Sequence, residues 1–275
     1  GRPMKEPKRI LFISQEINPY LAEETPIRLL NRQLPEYFQG HGYETRTFMP
    51  KFGEINERRN QLHEVIRLSG MNLIINDTDH PLIIKVASIQ SAKVQVYFID
   101  NDDYFGKRLM EKDEQGEDYP DNGERAIFFA RGVLETVKKL RWVPDIIHCQ
   151  GWMSAVVPLY VKTAYHDEPS FAEAKVVTSL FTQKLDKDLG EDFKQCLEFR
   201  ETTADLLKGY KDNFDFTELS KLAIDYSDGI VQSDKLVDKE LLTYTKEKNI
   251  PFLGYSENVA EACEDFYETL FPTEE

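Results

Sequence analysis

Residues 8–40 read KRILFISQEINPYLAEETPIRLLNRQLPEYFQG, and this stretch decides the fold class. KRILFIS (8–14) is apolar enough for a buried strand, and TPIRLLNRQLPEYFQG (25–40) predicts a helix that ends at Gly40. A strand followed by a helix is the repeating unit of an α/β domain. In a doubly wound α/β domain, the turn between them is where a phosphate-bearing ligand normally binds.

The turn itself, SQEINPYLAEETPI (14–27), lacks the groups that bind phosphate. No glycine lies between Gly1 and Gly40, and Glu23 and Glu24 stand where a cation is needed, with only Arg28 as partial compensation. One carboxylate facing one phosphate charge at about 4 Å costs on the order of 4 kcal/mol, which is roughly three decades of affinity. We interpret the turn as a solvated loop before a helix.

Strand-like and helix-like segments alternate along the rest of the chain, which predicts one α/β domain over residues 1–275, with residues 1–7 as a flexible tail. Strands are predicted at 43–50, 93–100, 144–149, 175–181 and 229–234, and helices at 126–137, 151–165, 218–227, 235–248 and after Ser256. The β-rich runs between Glu64 and Ser88 predict an inserted hairpin or meander. Residues 101–122 are interpreted as a long loop, and the charged segment 182–212 as a solvated, partly helical stretch.

Composition excludes several classes of partner. A formal net charge of −15 repels nucleic acid and anionic membrane surfaces. No apolar run approaches the length of a membrane span, and the N-terminus has no signal-peptide core. The three cysteines are far apart and show no CxxC spacing, so we predict no zinc site, no other metal and no disulfide framework. A reducing cytoplasm fits this pattern.

The first candidate site combines VYFIDNDDYF (96–105) with EDYPDNGER (117–125). It places acidic, amide and aromatic side chains after a strand, at the edge where open α/β sheets bind ligands. Asp, Asn and Tyr are suitable partners for sugar hydroxyls. Asp121 and Glu124 have capping-box spacing before the predicted helix, and the structural role is favoured for these two.

The second candidate is HCQGWM (148–153), at the end of another predicted strand. His148 could act as a general acid or base, and an exposed Trp152 could stack on a sugar ring or base. His148 follows Ile147 within the strand, so a core histidine with satisfied ring nitrogens is the favoured interpretation. Cys149 is interpreted as a small buried hydrophobe. No common hydrolase, metalloprotease or P-loop pattern occurs, and no cofactor is predicted.

Six segments in this order resemble the glycogen and starch synthases, glycosyltransferase family five. They are ILFISQEINPY (10–20), MPKFG (49–53), VYFIDNDDYF (96–105), DYPDNGER (118–125), PDIIHCQGW (144–152) and LSKLAIDYSDGIVQSD (219–234). The resemblance implies an α/β, Rossmann-like parallel-sheet domain, equivalent to the N-terminal half of the two-domain GT-B architecture. It also implies that the C-terminal glycosyltransferase domain is missing from these 275 residues.

The departures from the family pattern concern its active-site motifs. The family's K-T-G-G-L loop, which holds the diphosphate of ADP-glucose, corresponds here to a degenerate donor loop whose residues include Ala22, Glu23, Glu24 and Thr25. The second histidine of its H-D-W-H motif is Met153, so no catalytic residue is assigned with confidence. Its T-I-H-N-L motif is TSLFT (178–182). The retained ligand or acceptor-side candidates are Tyr119, Asn122, Arg125, His148 and Trp152.

Three hypotheses about function follow. The first is a starch-synthase-like domain that is inactive as an isolated chain and binds an α-glucan, a metabolite or a protein partner. The second is half of a split ADP-glucose:glucan glucosyltransferase, completed by a separate C-terminal-domain chain. The third is self-association as a homodimer that covers the exposed cleft face. The sequence does not decide whether residues 182–212 cover that cleft.

Overall fold

The strand predicted first, β1 (Arg9–Ser14), lies at the centre of a nine-stranded sheet in the computed structural model, which describes residues 6–273. The other strands are β2 (Glu44–Pro50), β3 (His63–Glu64), β4 (Asn72–Ile75), β5 (Thr78–Pro81), β6 (Ile83–Ile89), β7 (Val94–Asp100), β8 (Ile146–Gln150), β9 (Lys175–Leu180), β10 (Gly229–Gln232) and β11 (Phe252–Leu253). The helices are α1 (Pro26–Gly40), α2 (Asn122–Lys139), α3 (Val157–Lys162), α4 (Phe193–Leu197), α5 (Phe216–Asp225), α6 (Lys239–Glu247) and α7 (Val259–Thr269).

The sheet order is β11-β10-β9-β8-β1-β2-β7-β6-β3. The strands from β11 to β7 pair in parallel, and β6 and β3 extend the sheet antiparallel. The predicted α/β, Rossmann-like class is therefore confirmed. None of the helices within residues 6–273 is long and apolar enough to cross a bilayer.

β1 is buried on both faces, as expected for a central parallel strand. Its side chains alternate: Ile10 and Phe12 pack with α1 and α7, whereas Leu11 and Ile13 belong to the larger cluster that α2, α3 and α5 cover. Helices thus close both faces of the sheet. The carboxyl edge of the strands remains the place where loops can form a site.

α1 begins as its sequence predicts. Thr25 is the N-cap, and its side-chain oxygen accepts a hydrogen bond from the Arg28 backbone N–H at 3.2 Å, with Pro26 next in the first turn. α7 packs on the same face of the sheet as α1. The rings of Tyr267 and Phe38 stack there, with their centroids 5.3 Å apart. The C-terminal helix is in this way fixed to the first helix of the domain.

The insertion predicted between Glu64 and Ser88 is present. β4 and β5 form a separate two-stranded hairpin whose turn residues, Asn76 and Asp77, both have positive φ. Asn and Asp tolerate that left-handed conformation, which two-residue hairpins require. β6 then joins the main sheet beside β7.

Several boundaries differ from the predictions. Residues 151–165 do not form one helix: a 3₁₀ turn at Trp152–Ser154 precedes the short α3. Residues 102–106 of the predicted loop form a helical turn, and β11 was not predicted. Asn258, not Ser256, precedes α7. Residues 1–5 of the predicted tail lie outside the described residues, and Pro7 is buried.

Candidate functional site

The candidate site lies where the chain reverses direction across the sheet. From β1 the chain continues to β2 on one side, and β8 continues to β9 on the other, so the switch point lies between β1 and β8. In open α/β sheets ligands bind in the crevice outside the carboxyl ends of such a pair. Here that crevice is bordered by Ser14 and Gln15 at the end of β1 and by Gln150 and Gly151 at the end of β8.

The side chain of Gln15 fills this crevice. Its amide oxygen accepts a hydrogen bond from the Met153 backbone N–H at 3.1 Å, and its backbone N–H donates to the Gln150 carbonyl at 2.9 Å. Gly151 has φ +102°, and a Cβ placed there would lie 2.7 Å from Gln15 Cβ. The neighbouring cavity, lined in part by Trp152, measures about 30 Å³. That is space for about one water molecule.

The donor-loop position is a solvated loop, as the sequence predicted. Ala22, Glu23 and Glu24 are exposed, and Thr25 is used as the cap of α1. No backbone N–H cluster freed by glycine occurs in this stretch. An anion that approaches this loop therefore meets carboxylates, and the loop itself supplies no cation.

Arg28, which the sequence named as the nearby cation, is already paired. Its Nε lies 3.0 Å from Glu16 Oε1, and the two side chains are 13% and 9% exposed. A second guanidinium nitrogen donates to the Glu23 carbonyl at 2.8 Å. Burial, together with the nearby Glu16, raises the pKa of Glu111. Arg28 is thus neutralised inside the protein by Glu16.

His148 is a core histidine. Its ring is fully buried, with Nδ1 2.5 Å from the Tyr267 hydroxyl and Nε2 2.6 Å from the Ser179 hydroxyl. Burial lowers its pKa to about 3, so the imidazole is neutral at physiological pH. The interpretation of His148 as a core histidine therefore matches its environment. Both ring nitrogens bond protein hydroxyls, so neither is presented to a ligand.

Trp152 is not the exposed stacking residue that the sequence suggested. It is 3% exposed and lines the small cavity beside Leu180 and Phe216. Gly151 turns the chain inward at the end of β8, and the following 3₁₀ turn carries the indole into the core. Cys149 is fully buried, as predicted.

Arg125 organises the loop that precedes its helix. Its guanidinium is fully buried and donates to the carbonyls of Tyr104 and Leu109, each at 2.8 Å, and of Met110 at 2.5 Å. It also donates to Asn122 Oδ1 at 2.8 Å. Burial lowers its pKa to about 10. The hydrogen bonds of this guanidinium go to the protein's own oxygens and give Arg125 a structural role, while its ligand role stays a prediction.

The other two acceptor-side candidates belong to the same arrangement. Asn122 is buried and also donates to the Glu111 carbonyl at 3.0 Å. The Tyr119 hydroxyl accepts from the Leu109 backbone N–H at 2.9 Å, and its ring lies 4.8 Å from the guanidinium carbons of both Arg108 and Arg125. The structure brings Tyr119, Asn122 and Arg125 together as a loop support, whereas His148 and Trp152 belong to β8 and the turn after it.

The predicted capping box does not form. Asp121 precedes α2, but its carboxylate accepts two hydrogen bonds from Arg108, at 2.6 and 3.0 Å, and makes no side-chain cap bond. Glu124 accepts from the Tyr104 hydroxyl at 2.9 Å. A bidentate guanidinium is a stronger partner for a carboxylate than a backbone N–H, and this explains the difference.

Residues 182–212 pack against this loop. Asp118 accepts from the backbone N–H groups of Asp186 and Lys187, at 2.7 and 2.8 Å, and from Lys112 Nζ at 2.8 Å. Burial acts to raise the pKa of Asp118, but Lys112 and the two N–H groups outweigh it and lower the pKa. The sequence did not single out Asp118 for this role, because its two backbone N–H partners lie 68 and 69 residues away.

Gly123, in the first turn of α2, allows residues 182–212 to approach this helix closely. A Cβ at Gly123 would lie 2.5 Å from Phe193 Cδ1 and 3.1 Å from the Leu189 carbonyl. We expect Gly123→Ala to lower the free energy of unfolding by about 1–3 kcal/mol through this overpacking. The matched control is Gly40→Ala, where a Cβ meets nothing within 4 Å. Urea unfolding that shows equal effects for both variants would contradict this packing.

The described residues contain no group of three or more His, Cys, Asp or Glu side chains that could hold a metal ion. The ionic network of Lys51, Glu57, Lys85 and Asp100, at the carboxyl ends of β2 and β7, was missed by sequence reasoning. The signal available was the position of MPKFG directly after a predicted strand.

The parallel sheet, the helices on both faces and the loops at the carboxyl edge define a Rossmann-like α/β domain. The chain belongs to the starch synthase catalytic domain family, whose model matches residues 9–251.

Two relatives carry the name glycogen synthase. The chain is 36% identical to the enzyme of Chlorobium limicola and 37% identical to that of Chlorobaculum tepidum, in each case over 173 residues. Each alignment covers 62% of this chain and 35% of the relative, so the chain spans about a third of the length of the relatives it matches.

A solved structure has the same fold. The catalytic domain of starch synthase IV from Arabidopsis thaliana, bound to ADP and acarbose, superimposes with a TM-score of 0.70 at 14% identity. The match covers 91% of this chain and 51% of that one.

Proposed function

We propose that this glycogen/starch-synthase-like domain binds α-glucan and does not transfer glucose from ADP-glucose on its own. The observation that carries the proposal is the Glu16–Arg28 ion pair at 3.0 Å, beside a loop that contains Glu23 and Glu24. A diphosphate that recruited Arg28 would have to break this pair, beside a loop that already presents two carboxylates. Breaking the pair costs free energy, because Glu16 would be left partly buried without its cation.

The crevice and its side chains support the same proposal. Gln15 occupies the space between β1 and β8, and Met153 stands where the family pattern has a histidine. A thioether neither titrates nor donates a hydrogen bond, so it supplies no proton and no charge to a transferred sugar. The names of the relatives, glycogen synthases, motivate the choice of an α-glucan as ligand.

The test combines transfer and binding. We expect the chain alone to transfer no labelled glucose from ADP-glucose to glycogen, and to migrate more slowly in a native gel that contains glycogen than in a gel without it. Transfer above the level of a protein-free control would contradict the absence of catalysis. Equal mobility in the two gels would contradict glucan binding.

A second candidate is half of a split glucosyltransferase, completed by a separate chain. An open groove of about 370 Å³ favours it, since Pro26 and Ile27 line it from the start of α1, and Leu236 and Tyr255 from the other side. Leu236 is 78% exposed and Tyr255 is 38% exposed, so the groove carries apolar surface that a partner chain could cover. Glucose transfer that appears only after a candidate partner chain is added would favour this function.

A further inference from the structure

Residues 181–192, here the strap, connect β9 to α4 without forming a helix or a strand. Most side chains of the strap are exposed, and its aliphatic anchors, Leu185 and Leu189, are 7% and 5% exposed. The Leu189 N–H donates to the Phe214 carbonyl at 2.8 Å. A surface segment that is held at so few points opens at a lower free-energy cost than the sheet beside it.

The first part of the strap lies against the turn after β8. The side-chain oxygen of Gln183 accepts a hydrogen bond from the Trp152 backbone N–H at 3.1 Å. Phe181 and Gln183 also belong to the wall of the cavity of about 30 Å³ that Trp152 lines. Because that cavity has space for about one water molecule, a larger ligand can reach the indole through it only after the wall has moved.

The middle of the strap is held by Asp118, a buried residue of the loop before α2. One carboxylate oxygen of Asp118 accepts from the backbone N–H groups of Asp186 and Lys187. The other oxygen accepts from Lys112 Nζ, which also pairs with Asp186. Lys187 Nζ lies 3.1 Å from a carboxylate oxygen of Glu117. Charge-assisted hydrogen bonds, which are stronger than neutral ones, thus fasten the strap to this loop.

The strap has a point of backbone freedom beyond these bonds, at Gly190. Its φ is +95°, and a Cβ placed there would meet no heavy atom within 4 Å. Glycine adopts positive and negative φ about equally readily, and open space lets the chain rotate without a clash. Gly190 can therefore absorb the change in φ and ψ that a movement of residues 182–189 requires.

We propose that the strap is a gate over Trp152. It closes the cavity while Asp118 and Gln183 hold it, and it admits a ligand to the indole when these bonds break. An indole that is buried in the closed state can thus serve as a stacking surface in the open state. The gate goes beyond the proposed function, because it does not depend on which ligand binds.

The experiment measures amide hydrogen exchange in the unaltered chain and in Asp118→Asn, which keeps the size of the side chain and removes its charge. We expect exchange at the amides of residues 183–189 to become about tenfold faster or more, while amides of β1 and β8 keep their rates. Asp113→Asn is the matched control, since Asp113 accepts from the backbone N–H groups of Gln115 and Glu117, within its own loop. If Asp118→Asn does not fold, Gln183→Ala tests the strap from its other end.

A second readout follows the indole itself. In a Trp142→Phe background, Trp152 is the only tryptophan of the chain. Acrylamide is expected to quench its fluorescence more strongly when Asp118→Asn is added, because the strap is open for a larger fraction of the time. Addition of Asp113→Asn to the same background is expected to leave the quenching unchanged.

Three results would overturn the gate. The first is equal strap exchange in the unaltered chain and in the folded strap variants. The second is faster exchange of strap and sheet amides together, because the strap would then open only when the whole domain unfolds. The third is faster strap exchange with unchanged quenching of Trp152, because the strap would then move without uncovering the indole.

Discussion

Arg125→Met is expected to lower the free energy of unfolding by about 3–5 kcal/mol, since it leaves several buried acceptors without a donor. The carbonyls of Tyr104, Leu109 and Met110 and the side-chain oxygen of Asn122 all depend on this one guanidinium. Chemical unfolding monitored by fluorescence measures the loss. Faster proteolysis between residues 101 and 121 is expected to accompany it, because the loop loses its internal support.

Two variants make this expectation specific. Arg125→Lys keeps the charge but lacks the planar fork that reaches several carbonyls, so it should also destabilise the chain. Arg59→Met removes an exposed arginine and is expected to change stability by less than about 0.5 kcal/mol. A loss below about 1 kcal/mol for Arg125→Met would show that the loop does not depend on this residue.

The stability of the chain is expected to fall as the pH drops below about 6.5, the ordinary histidine value, because of His148. Burial holds the pKa of this imidazole near 3 in the folded chain, so the unfolded chain binds a proton that the folded chain cannot. The contribution is zero above pH 6.5 and grows as the pH falls toward 3. Between pH 6.5 and 5 it amounts to about 2 kcal/mol.

The comparison variant is His148→Gln, whose amide can still donate to one hydroxyl and accept from the other. Urea unfolding at a series of pH values is expected to show a shallower loss of stability for the variant than for the unaltered chain. His166→Gln removes an exposed histidine and serves as the control. Identical pH dependence for His148→Gln and the unaltered chain would contradict the role assigned to the buried ring.

The features of the fold that depend on local pattern could be predicted from the sequence. β1, α1 and the strands that follow have strong apolar periodicity, and Thr25 and Pro26 mark a helix start by their own chemistry. β11 was missed because two residues, Phe252 and Leu253, have no period to detect. The helix predicted at 151–165 was wrong in extent, since the positive φ of Gly151 redirects the chain.

The site was less predictable, because its side chains contact partners that are distant in sequence. Asp121 has the spacing of a cap, yet Arg108 binds it from the loop. Trp152 has the position of an exposed platform, yet the turn after β8 buries it. Arg125 was predicted as a ligand candidate, but its hydrogen bonds in the structure go to carbonyls that no side-chain pattern reveals.

The charge of the donor loop, in contrast, could be predicted from four adjacent residues. Glu23 and Glu24 are exposed as expected, and the structure adds that Glu16 already neutralises Arg28. We propose that this arrangement excludes a nucleoside diphosphate. It depends on charges held in place by the protein and not on the size of the crevice alone.

The measurement that tests this claim most directly is a calorimetric titration of ADP and ADP-glucose into the chain, with a maltooligosaccharide titrated in parallel. We predict heat of binding for the oligosaccharide and none for either nucleotide at micromolar concentration. Micromolar binding of ADP or ADP-glucose would contradict the claim and would favour a sugar-nucleotide site in this domain.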